Sequence, residues 1–185
     1  MDAFEYLGVF ISLILGLGVT QLLAAVAGVL RDRATLRLDV TSMAWAATLL
    51  LVHVQAWWSL FGLHDRDDWR FAGFCAALLP PALLYLLSAL VLPPPGARLD
   101  LAANFERHRR VFHGLLLALV ASSLGRDLVL SGHLPATGNV AFHAGFAGLA
   151  VLGLRIGRPA FQRALSLLVL AAFAGYSTLL FAELG

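Results

Sequence analysis

The chain has 185 residues, 60% of them hydrophobic and only 13% charged, and its mean hydropathy is +0.84. A water-soluble domain carries about 25% charged residues, so too few charges are present to wet a surface of this size, and the apolar excess must face lipid or partner proteins. The net charge of +2 is small and segregated along the chain, which argues against nucleic-acid binding, and all 13 basic residues are arginine, which leaves no lysine for a Schiff base.

The N-terminus, Met1-Asp2-Ala3-Phe4-Glu5, is acidic and leads into an apolar run over about 5–30. A cleaved signal peptide begins with a basic stretch and has a short apolar core, so this run is expected to be a retained membrane helix. Small residues recur every fourth position along it: Gly8, Ser12, Gly16, Thr20, Ala24 and Gly28. Helices in lipid associate by close backbone approach, which small residues permit. The stripe therefore predicts a central helix packed against at least two neighbours, with a backbone-lined permeation path as the alternative. Gly16-Leu17-Gly18 lacks the third glycine and the preceding strand of a dinucleotide site.

The second run spans about 40–63 and contains "HVQAWW", His53 to Trp58. His53 and Gln55 lie two residues apart, about 200° around a helix, so they point to nearly opposite sides. Gln55 falls in a polar stripe with Thr41, Thr48 and Ser59; His53 shares a face with Leu49 and Trp57. Both residues are read either as interhelical hydrogen bonders or as parts of a water-lined, proton-handling path. The loop His64-Asp65-Arg66-Asp67-Asp68 reads as a solvated acidic loop, with a hard-oxygen cation site as the sharper alternative. The single Cys75 forms no C-x-x-C pair.

The third run, about 70–92, carries Pro80-Pro81 at its middle. Proline removes ladder bonds and should kink the helix. Residues 97–110, "ARLDLAANFERHRR", place Leu101, Phe105 and His108 at i, i+4, i+7. That spacing suggests a short helix on the membrane surface, and a solvated loop is an equal alternative.

The fourth run, about 112–131, holds Arg126-Asp127 one turn from its end. Adjacent helical residues diverge by about 100°, so Arg126 is expected to pair with Glu5 or Glu183, which sit at the same predicted level. The fifth run, about 139–156, repeats the small-residue pattern at Ala141, Ala144, Gly145 and Gly148 and places His143 one turn in. The sixth, about 159–183, follows a break of only a few residues, so the last two should form an antiparallel hairpin. His53, His113 and His143 fall at different depths, which argues against a haem; neither a metal nor any other cofactor is expected.

Arginines sort by break. The first, third and fifth breaks hold three, four and three of them, whereas the second holds Arg66 and Arg70 and the fourth none. Basic residues resist translocation, so the odd breaks are expected in the cytoplasm and both termini outside. Tyr6, Trp57, Trp58, Trp69 and Tyr176 cluster near the predicted outer interface, where amphipathic rings prefer to sit.

The expectation is an all-α, polytopic single domain over 1–185: a six-helix transmembrane bundle in a bacterial inner membrane. "LGVTQLL" (17–23) echoes "LGRDLVL" (124–130), which allows a 3+3 inverted arrangement. "FEYLGVFISLILGLGVTQLL" (Phe4 to Leu23), together with "HVQAWW", resembles a family of small, uncharacterised bacterial integral membrane proteins. That resemblance implies architecture and no activity. The functional expectation is a small channel or transporter using His53, Gln55, Arg126, Asp127, Glu5, Glu183 and His143. A non-catalytic subunit of a membrane assembly and a lipid-acting enzyme are the alternatives. The expected partners are the bilayer and further copies of the chain or a larger complex, with no nucleic acid.

Overall fold

A computed structural model describes residues 3–32, 38–64, 68–93 and 100–182. Six helices account for nearly all of them: α1 (Ala3–Arg31), α2 (Val40–Trp58), α3 (Phe71–Val91), α4 (Leu101–Ser131), α5 (Thr137–Arg155) and α6 (Pro159–Ala182). No strand occurs among the described residues, and each helix is long and apolar enough to cross a membrane. The chain is an all-α, multi-pass membrane protein.

Local signals set the helix ends. Asp39 caps α2, its carboxylate accepting from the Ser42 amide at 2.8 Å and the Ser42 hydroxyl at 2.9 Å. Asp100 caps α4 by accepting from the Ala102 amide at 2.9 Å. Gly132 ends α4 at φ 72, a left-handed conformation that glycine adopts without a Cβ clash. Pro159 opens α6, where its missing N–H breaks no bond. A 3₁₀ turn, Ser59–Leu63, extends α2. Pro80 and Pro81 both lie buried within α3, which continues through them.

The α4 helix overturns one expectation. Its 31 residues run unbroken through the segment expected to lie on the membrane surface. At 1.5 Å per residue it is about 46 Å long, well beyond the about 30 Å of hydrocarbon. Leu101 and Phe105 are buried rather than laid on lipid. They are held there by the Ser42 hydroxyl donating to the Leu101 carbonyl at 3.3 Å, and by Asn104 donating to the Leu90 carbonyl at 3.4 Å.

Contacts between distant residues define two ends. Tyr6 stacks on Phe74, and Phe142 stacks on Tyr176. These mark an arginine-poor end, where Tyr6, Trp57 and Trp58 are exposed. At the other end Trp45 meets Phe112 and Arg109 meets Gly153. This end carries Arg31, Arg107, Arg110, Arg155, Arg158 and Arg163; Arg33, Arg37 and Arg98 lie outside the described residues.

The centre of the bundle is α2, which packs on α1, α3, α4 and α6. By contrast α1 packs mainly on α3 and α2 among the described residues, and it uses a different face from the one its small residues suggest. Leu7, Ile11, Leu15, Gly18, Leu22, Ala25 and Val29 are buried, while Gly16, Thr20 and Ala24 are exposed and Gly8 and Ser12 half-buried. Only Gly28 of that stripe is buried. Residues three or four apart form the packing seam, most of them large and apolar with Gly18 and Ala25 between, and burying the large side chains decides the face. The same reversal holds for α5: Ala141, Ala144, Gly145 and Gly148 are exposed, and α5 packs through Ala150 and Gly153.

The expected α5–α6 hairpin is splayed. These two helices approach each other little; α5 lies on α4 and α6 lies on α2. The two halves also differ in pairing. α1 packs broadly on α3, but α4 and α6, their counterparts in an inverted repeat, are not a packed pair among the described residues.

Candidate functional site

Because α5 and α6 diverge, a ring of α2, α4, α5 and α6 encloses a cavity of about 280 Å³, with Pro80 and Leu84 of α3 behind it. The splay is bridged by rings rather than backbone. Phe142 stacks on Tyr176 with centroids 4.1 Å apart, and Phe146 meets Phe173 edge-on at 6.2 Å.

The cavity is graded from polar to apolar. Towards the arginine-poor end its walls carry Gln55 and Ser59 of α2, Ser123, Arg126 and Asp127 of α4, Asn139 and His143 of α5, and Tyr176 of α6. Deeper, the walls are Leu49, Leu84, Leu149, Ala150 and Val169, and Trp45 forms the floor. Beneath the cavity Phe112 and His113 meet the Trp45 ring and each other edge-on, and Phe105 packs edge-on against both.

The Arg126–Asp127 pair departs from the sequence expectation. Asp127 Oδ1 accepts from Arg126 Nε at 3.2 Å and from Nη2 at 3.1 Å. Two adjacent Cα–Cβ vectors do diverge, but the long arginine stem folds back far enough to close the pair. Glu5, in the first turn of α1, is not among the cavity residues, and Glu183 lies outside the described residues. The two paired side chains keep 25% of their surface each. No described residue bonds Arg126 Nη1 or Asp127 Oδ2.

Of the sequence-predicted residues, the cavity unites Gln55, Arg126, Asp127 and His143. His143 donates from Nδ1 to the Asn139 carbonyl at 2.8 Å. Gln55 Oε1 is buried without a partner among the described residues. His53 lies elsewhere. It faces α1, donates from Nδ1 to the Leu49 carbonyl at 2.7 Å and presses its ring against Gly18, where a Cβ would collide with Nε2. The opposed orientation of His53 and Gln55 follows from the helical repeat.

Ser123 and Asn139 are not among the residues the sequence singles out, and Tyr176, expected only as an interface aromatic, also lines the cavity. Ser123 lies three residues before Arg126, and Asn139 four before His143; helical spacing sets each on its partner's face.

Arg109 is a second finding. The sequence presents it as one of several surface arginines, yet it is buried. Its Nη1 donates to the carbonyls of Gly153 at 2.8 Å and Leu154 at 2.9 Å, and its Nε donates to Glu106 at 3.1 Å. Gln162 donates to the carbonyls of Gly153 at 2.9 Å and Ile156 at 2.6 Å. Together they satisfy the C-terminal carbonyls of α5, where the helix dipole also favours a cation. Gly153 allows this approach, because a Cβ there would strike the His113 ring.

No cluster of metal-ligating side chains occurs among the described residues; Asp65, Arg66 and Asp67 of the acidic loop lie outside them. Comparison with protein-family models, curated proteins and solved structures finds no match.

Proposed function

We propose that the chain is a small membrane carrier that loads a solute from its arginine-poor end. The observation that carries this reading is the cavity of about 280 Å³, lined by polar groups towards the arginine-poor end and by apolar ones down to Trp45, which packs on the aromatic layer below. A channel needs a continuous path, whereas a carrier needs a site accessible from one side at a time. The ring of four helices has a weak joint at α5–α6, held by side-chain stacking, and such a joint suits rocking between two closures.

Arginine asymmetry favours a cytoplasmic arginine-rich end, with both termini outside, in a bacterial inner membrane. Loading would then be from outside. Proteoliposomes test the reading with a panel of rubidium, chloride, phosphate, simple amines, carboxylates and neutral amino acids. The expected result is saturable uptake of at least one solute, abolished when Ser123→Leu fills the cavity. Uptake of none, or uptake unchanged in Ser123→Leu, overturns it.

A second reading is a subunit of an oligomer. It is favoured by the exposed small residues of α1 (Gly16, Thr20, Ala24) and α5 (Ala141, Gly145, Gly148), since such stripes mediate helix association in lipid. Mass measurement in native lipid discs separates one copy from several.

A further inference from the structure

We infer that the cavity binds a small zwitterion with an apolar side chain, of the class of the large neutral α-amino acids. The inference deepens the carrier reading and rests on the same cavity being the solute site.

Three observations converge. The first is charge. The mouth holds one cation and one anion, Arg126 and Asp127, already paired with each other. A lone anion or cation would therefore enter a site that is balanced without it and leave a net charge among side chains that are three-quarters covered, which is unfavourable. A zwitterion keeps the balance.

The second is hydrogen-bonding geometry. Asp127 Oδ1 occupies the Nε–Nη2 side of the guanidinium, so the Nη1 end is left for a further acceptor. Asp127 Oδ2 is correspondingly left for a further donor. A carboxylate suits the first, through the planar fork of arginine, and an ammonium suits the second. Asp127 thus orients Arg126 and offers a charge of its own. Gln55, with its buried Oε1 unbonded among the described residues, supplies another acceptor near the mouth.

The third is size and polarity. About 280 Å³ lies just below the range of roughly 300–1,000 Å³ typical of small-molecule sites. The volume is too small to take in the whole of a two-chain lipid. The deeper walls, Leu49, Leu84, Leu149, Val169, Phe146 and Phe173, offer carbon and aromatic faces to an apolar side chain.

Equilibrium binding of radiolabelled leucine to the purified full chain in lipid discs tests the inference, with unlabelled competitors. Leucine and phenylalanine should bind saturably and compete with each other. Phenethylamine, which lacks the carboxylate, phenylpropionate, which lacks the ammonium, and glycine, which lacks the apolar group, should each compete at least ten-fold more weakly. Arg126→Gln and Asp127→Asn should each weaken leucine at least ten-fold. The competitor series on the unaltered chain keeps the test decisive even where a variant does not fold. Absence of saturable leucine and phenylalanine binding, or equal competition by a singly charged analogue, overturns the inference. Saturable binding without uptake in proteoliposomes overturns the carrier reading and leaves this inference standing. Uptake of another solute with no amino-acid binding does the reverse.

Discussion

The two ends of α4, α5 and α6 handle their polar groups in opposite ways. At the arginine-rich end polar side chains reach across helices: Arg109 of α4 and Gln162 of α6 both bond the terminal carbonyls of α5. Rings of Trp45, Phe105, Phe112 and His113 pack edge-to-face in a cluster in the same half. At the arginine-poor end the corresponding groups bond locally. Arg126 bonds its neighbour, His143 bonds its own helix four residues back, and Ser122 bonds the Leu119 carbonyl three residues back. Cross-helix bonds draw backbones together and exclude space, whereas local bonds leave the helices free to diverge. One end is therefore a clamp and the other a cavity.

The largest expected effect breaks the clamp. Arg109→Ala leaves buried carbonyls unsatisfied and should cost about 2–4 kcal/mol, since buried bonds from a charged donor contribute on the order of 1.5–3 kcal/mol each. Arg126→Ala removes a partly exposed pair between neighbours and should cost under about 1 kcal/mol. Unfolding in mixed micelles compares them, and equal losses would erase the contrast.

Glycines give the next test. Gly153→Ala meets the His113 ring and Leu165 Cδ2, the latter at 2.9 Å, and should cost about 1–3 kcal/mol through overpacking. Gly145→Ala meets nothing within 4 Å and should stay within about 0.5 kcal/mol. At the α1–α2 contact, Gly18→Ala should be destabilising alone and substantially relieved by His53→Ala. If the double variant is as unstable as the sum of the singles, the close approach of ring to backbone is not the cause. The smallest effect on stability, within about 0.5 kcal/mol, is expected for Ser123→Leu, which places its added atoms in the cavity. The same variant should lose uptake, and an unfolding midpoint measured beside uptake separates the two consequences.

The six runs were legible because hydropathy and length suffice to mark a helix that crosses lipid. The boundary of α4 was not, because "ARLDLAANFERHRR" carries the arginines of an exposed segment and only the fold reveals that Arg109 turns inward. The polar stripe Thr48–Gln55–Ser59 was legible from helical spacing, and all three residues line the cavity. The packing face of α1 was not legible, because Gly16, Thr20 and Ala24 mark a regular small-residue stripe that the fold leaves exposed. The seam Leu7–Ile11–Leu15–Leu22–Val29 sits on the other side in an equally regular pattern. In a chain this apolar, periodicity does not distinguish the face turned to protein from the face turned to lipid. The Arg126–Asp127 pair depended on side-chain reach, which Cα geometry alone does not give.

The contrast between a cavity at one end and a cross-bonded clamp at the other is tested most directly by thiol accessibility in a Cys75→Ala background. Ser123→Cys places a thiol on the cavity wall, and Ser166→Cys places one in the arginine-rich half of α6, where Ser166 is fully buried. A charged, membrane-impermeant thiol reagent should label the first rapidly and leave the second unmodified. Protection of both thiols, or faster labelling at Ser166→Cys than at Ser123→Cys, would contradict the account.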